Sequence, residues 1–172
     1  MSKIRWLLAA LVVTAIGLAP VLAANSSASA NPGTILRFGV MTPVTGPYVG
    51  TMNPIRTVPG GGLPWMIGTG NGFLTRDGHL QIHVRGLVLA DSSAVPANLR
   101  GINPVPDFEA IVSCQTITGM MATVTNVMTG QFPASLQGNA NIRARVKLPH
   151  PCIAPIVFVA SPTGAWFAAT GS

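Results

Sequence analysis

Residues 72–90 read GFLTRDGHLQIHVRGLVLA, two runs rich in apolar residues separated by Asp77-Gly78. Asp-Gly suits a type I′ hairpin turn, because both central positions of that turn require positive φ. Beyond the turn, Leu80, Ile82 and Val84 alternate with His79, Gln81, His83 and Arg85. A period of two predicts a strand with one apolar face and one wet face. Leu87, Val88 and Leu89 then carry the chain into a core.

The same reading extends in both directions. ILRFGVM, from Ile35 to Met41, predicts a first strand. The segment that follows, TPVTGPYVGTMNPIRTVPGGGLP, holds Pro43, Pro47, Pro54, Pro59 and Pro64 and the run Gly60-Gly61-Gly62. Proline removes backbone donors and glycine loosens the dihedrals, so short extended pieces joined by turns are expected rather than a helix.

Toward the C-terminus, DSSAVPANLRGINPVPDF reads as an irregular connection, Phe108 to Cys114 as a strand, and Met120 to Thr129 as another, since β-branched residues dominate it. After Gly138 the alternation is cleanest: Ala140, Ile142, Ala144, Val146 and Leu148 face one way and Asn141, Arg143, Arg145 and Lys147 the other. Ile156 to Thr170 reads as a terminal hairpin turning at Pro162-Thr163-Gly164, its first strand apolar enough to be central. The expectation is all-β: a single β-sandwich of about seven to nine short strands, with a distorted β-barrel as the alternative.

The N-terminus has a different character. Lys3 and Arg5 precede an apolar run from Trp6 to Ala19, and Pro20 and small residues follow, which is the layout of a secretory signal peptide in helical form. Cleavage is expected after Ala23, Ala24 or Ala30. The run is short for an anchor, since a spanning helix needs about 20 apolar residues. Residues 1–30 are therefore assigned to the signal and a flexible leader, and residues 31–172 to one domain. That domain has 142 residues, enough for one core.

Only 8% of the chain is charged and its mean hydropathy is +0.49, so Ser, Thr, Asn, Gln and Gly must supply most of the polar surface. Beyond the signal, eight basic residues face four acids, a balance of +4 that is too dilute for a polyanion-binding signature by composition alone. Lys147 is the only lysine there, and Ala, Gly and Pro abound, a usage that fits a GC-rich bacterial genome.

Chemistry-bearing motifs are few. Cys114 and Cys152, the only cysteines of an export-bound chain, are expected to form a disulfide that closes a loop of roughly 40 residues. His79 and His83 share a strand face but stand about 13 Å apart at strand rise, so they cannot hold one metal ion together. No metal or cofactor motif is present: Gly68-Thr69-Gly70-Asn71-Gly72 lacks the helix a phosphate loop needs, and no GxSxG elbow exists.

Asp107 and Glu109 alternate onto one face and are either a carboxylate pair for acid/base chemistry or, as is usual for carboxylates so close in sequence, charges flanking a strand end. Trp65, Trp166 and Tyr48 are either core aromatics or a carbohydrate platform. Arg143, Arg145 and Lys147 form a basic stripe at about 7 Å spacing, which Arg85 and His83 extend if their strands pair. Such a stripe can contact an anionic polymer or simply keep an apolar chain soluble and guard a strand. Nucleic acid is not expected, because the cations are few and aromatics are not interleaved with them.

The Asn103-Pro104-Val105-Pro106 segment before a strand and Trp166-Phe167 near a glycine at the end resemble phrases of uncharacterised secreted bacterial β-domain proteins. That resemblance implies no activity. The expected function is a non-enzymatic structural or interaction domain of the bacterial envelope or exterior. Its expected partner is an acidic envelope polymer or another envelope protein, with membrane contact only through the signal peptide. The alternatives are a small secreted hydrolase and a carbohydrate- or wall-binding module.

Overall fold

The computed structural model describes residues 33–170. The expected signal peptide and its cleavage positions lie outside the described residues. The strands are β1 (Thr34–Phe38), β2 (Thr42–Pro43), β3 (Trp65–Met66), β4 (Thr69–Thr75), β5 (His79–Arg85), β6 (Val88–Leu89), β7 (Asp107–Thr118), β8 (Met121–Met128), β9 (Phe132–Pro133), β10 (Ala140–Arg145), β11 (Ile153–Ala160) and β12 (Trp166–Ala169). Eight of them have four residues or more, and the other four are two-residue pairings. The architecture is the expected all-β sandwich, with antiparallel sheets and no closed barrel among the described residues.

One main sheet has four strands in the order β1-β4-β5-β10, the other follows β2-β12-β11-β7-β8, with β9 beside the start of β7, and β3 and β6 pair as a separate two-stranded sheet. Alternation builds the first sheet. Leu74, Leu80, Ile82, Val84, Ala140 and Ile142 point inward and are buried, and Val146 and Leu148 continue the buried set past the end of β10. They join Leu87, Ala110, Val112, Cys114, Val157 and Val159 in one core.

At its centre the second sheet is buried on both faces, and there residues 110–112 of β7 and 157–160 of β11 are continuous apolar runs. Its outer cover is the Gly- and Pro-rich segment. Tyr48 lies 6.5 Å from the Trp166 ring, the Arg56 guanidinium donates to the carbonyls of Ser113 and Ala154, and Asn126 on β8 donates to the Arg56 carbonyl and the Thr57 hydroxyl. The connection thus straps across β12, β11, β7 and β8.

One turn differs from expectation. At Asp77-Gly78 only Gly78 has positive φ, 85°, and its N–H bonds the Thr75 carbonyl at 3.0 Å. Because Leu74 pairs with Leu80, the loop is a three-residue type I turn closed by a left-handed glycine rather than a type I′ turn. The reason is lateral: Thr75 Oγ1 binds both Asp77 and the His79 N–H, which adds a residue to the loop. A pair of positive φ values occurs instead at Arg56 (49°) and Thr57 (68°), between the reciprocally bonded Ile55 and Val58. Left-handed geometry is costly for a β-branched residue. The hydrogen bonds from Asn126, and those the Arg56 side chain makes, hold it there.

Cys114 and Cys152 form the expected disulfide, Cα atoms 4.9 Å apart. Cys114 sits inside β7 rather than at its end, because β7 continues to Thr118. The bond joins strands that are already neighbours, since Ile153 pairs with Gln115. Asn103 of the Asn-Pro-Val-Pro segment is buried and fully used: its side chain donates to the Val105 and Ser135 carbonyls and accepts from the Val105 N–H.

Candidate functional site: the outer face of the four-stranded sheet

The wet sides of β1, β4, β5 and β10 form one exposed face. Register decides its rows. Arg37 pairs with Phe73, Phe73 with Gln81, and Gln81 with Arg143, so these four residues cross the whole sheet in line. The Arg37 guanidinium lies 5.8 Å from the Phe73 ring centroid, within cation–π range.

The next row is Asn71, His83 and Asn141. Gln81 Nε2 is 2.6 Å from His83 Nε2, and His83 Nδ1 is 2.8 Å from Asn141 Oδ1. A neutral imidazole with its proton on Nδ1 satisfies both bonds, donating to Asn141 and accepting from Gln81. The row on the other side is Thr75, His79 and Arg145 around the turn. There Asp77 receives Arg145 Nη2 at 3.1 Å and faces His79 Nε2 at 3.5 Å. The Thr75 hydroxyl bond, with the Arg145 guanidinium and the His79 ring beside it, holds the Asp77 carboxyl below its ordinary range.

Two shallow depressions flank the Phe73–Gln81 ridge. One, of about 340 Å³, is lined by His79, Arg143 and Arg145, the other, of about 480 Å³, by Arg37, Asn71 and His83. Guanidinium forks, amides, imidazoles and one aromatic face converge here. The set can donate to anions and lie against flat polar groups.

The candidate residues sort as follows. Arg143, Arg145, Lys147 and Arg85 are all exposed on this side of the molecule. They are not equivalent: Arg145 is paired with Asp77, Lys147 lies beyond the end of β10, and Arg85 stands at the far end of β5, its guanidinium on the Val84 carbonyl. Sequence reasoning missed Arg37 and Phe73. Their alternation with Leu36 and Leu74 was readable, but the pairing that sets them beside Gln81 was not. His79 and His83 share the face and are engaged separately.

The other candidates lie elsewhere. Trp65 and Trp166 are buried, Trp65 stacked 3.9 Å from Phe167, so the structure places them in the core and not on a carbohydrate platform. Tyr48 is half exposed on the strap. Asp107 and Glu109 share a side of β7, but Glu109 is only 4% exposed and its Oε1 has no hydrogen-bond partner. Burial pushes its pKa up. The hydroxyl–carboxylate contact between Thr75 and Asp77 belongs to the exposed hairpin turn, where it shapes the loop.

These features define a disulfide-linked, all-β domain of two main sheets and a small two-stranded one, with one polar, cationic sheet face. No protein-family model matches the chain, and no curated protein or solved structure is significantly similar to it.

Proposed function

We propose that this chain is an exported, non-enzymatic interaction domain of the cell envelope or exterior whose four-stranded outer face contacts an extended acidic polymer. The observation that carries the reading is the row Arg37–Phe73–Gln81–Arg143. All four acids of the sequence lie in the described region, and none pairs with Arg37 or Arg143. Two uncompensated guanidinium groups at opposite edges of a four-stranded sheet, with an aromatic and an amide between them, suit successive anionic groups on a polymer crossing the strands at about 5 Å per strand. Export is supported by the basic, apolar and small-residue order of residues 1–30 and by the disulfide, a bond favoured in oxidising compartments. No helix among the described residues is long and apolar enough to cross a membrane.

The test is retention on immobilised polygalacturonate at low ionic strength. Exposed charge contacts are individually weak and screened, so wild type should elute within a few-fold rise in salt. R37Q/R143Q should pass through unretained with its fold intact, whereas R145Q, whose charge is already neutralised by Asp77, should shift elution less. Equal retention of wild type and R37Q/R143Q would reduce the face to a solubility device.

A further inference from the structure

The sheet edges are not protected alike. β1 is five residues with a bulge and carries Arg37, and β10 carries Arg143 and Arg145. β2 is two residues and contains Pro43. Charges, prolines, bulges and shortness are the devices by which a strand edge avoids pairing with another chain. β8 has none of them. It pairs with β7 over eight consecutive positions without a bulge, and residues 115–131 contain no charge and no proline.

Among the described residues its backbone pairs toward β7 alone. Met121 is 73% exposed, Val124 41% and Met128 50%. Beside the edge lies a depression of about 440 Å³ lined by Gln115, Ile117, Ala122, Val124 and Ile153.

From this we infer that β8 is an assembly edge: it pairs antiparallel with β8 of a second copy about a two-fold axis, joining two six-stranded sheets into one. The choice of a second copy rests on charge and symmetry. The chain is net positive, and Arg37, Arg85, Arg143, Arg145 and Lys147 stand on the other sheet's side while Arg56 of the strap is turned onto the Ser113 and Ala154 carbonyls, so the uncharged strand β8 is where two copies approach with little repulsion. A heterologous partner would find no charge here to select it. A strand edge is also its own antiparallel complement under a two-fold axis.

With Val124 on the axis, Thr123 meets Thr125, Met121 meets Val127, and Met120 meets Met128. These are like-with-like cross-strand pairs. The same operation brings the two Ile117–Val124–Ile153 depressions onto one continuous face.

The test is molar mass by sedimentation, on protein purified after expression of the full chain, over roughly a hundredfold dilution. Wild type should show the mass of two chains, falling toward one only on dilution. V124K, which sets two cations face to face on an exposed site, should show one chain with unchanged circular dichroism. V124C should form an interchain disulfide on mild oxidation. A single-chain mass at all concentrations, as expected if residues 1–32 or an unrelated partner cover the edge, overturns the proposal. So does open-ended association, a V124K dimer as tight as wild type, or a dimer whose V124C form fails to cross-link. Polymer retention is a separate readout, so failure of either proposal leaves the other standing.

Discussion

The β4–β5 and β7–β8 hairpins present opposite surfaces. The first is tied within itself: Thr75, Asp77, His79 and Arg145 knit its turn to β10, and its outer face is cationic. The second turns through Gly119 at φ 63° and Met120, a type II′ pattern, and carries no charge from Gln115 to Gln131. It is held from outside, by the Cys114–Cys152 bond on one side of β7 and by Arg56 and Asn126 on the other. Charge guards one hairpin, and its absence leaves the edge of the other without that guard.

The largest expected effect breaks the external support of the β7–β8 side. Removing the bond with C114S/C152S reopens a loop spanning 38 positions in the unfolded chain, which the chain-entropy picture values at about 4 kcal/mol. Chemical denaturation should show a loss of that order, while retention on the acidic matrix survives wherever the domain stays folded. An unchanged midpoint would mean that the strap alone holds the hairpin.

Glu109, at the root of β7, comes next. Burial raises its folded pKa above the unfolded value of about 4.5, so the native state holds this proton more tightly. Its contribution to stability is full below that pH and is lost as pH climbs through the raised value. E109Q should therefore stabilise at pH 7, on the order of 1 kcal/mol, and change little at pH 4. A variant destabilised at pH 7 would reveal a partner for the ionised carboxylate.

The smallest effect belongs to the charged hairpin. The folded pKa of Asp77 is depressed, so its contribution is present above the ordinary carboxylate value and disappears as pH falls through the depressed one. D77N should cost a barely measurable amount of stability at pH 7 and none in strong acid, because the group is exposed. Its clearer signature is functional: freeing Arg145 should raise the salt needed to elute the protein from the acidic matrix. Earlier elution would mean that Asp77 orders the face rather than masking it.

The alternations at 79–85 and 140–148 were legible because each strand buries one face and wets the other, a period of two that needs no partner to be seen. The disulfide was legible because the chain has two cysteines. The turn type at Asp77-Gly78 was not, since Thr75 enlarges the loop through a side-chain hydrogen bond that Asp-Gly statistics do not carry. Nor was the left-handed pair at Arg56-Thr57, whose cost is offset by contacts with Ser113, Ala154 and Asn126, between 57 and 98 positions away.

Local pattern thus sufficed for the longer strands, for the inward and outward sets of β5 and β10, and for the all-β class, because those depend on neighbours in the chain. Register across distant strands, which brings Arg37 to Phe73 and Gln81 to Arg143, came from three-dimensional packing. So did the strap that buries the second sheet's outer face, and the position of β8 at an edge. Each of these arises from backbone pairing and side-chain contact between segments far apart in sequence, and neither leaves a periodic trace in the chain.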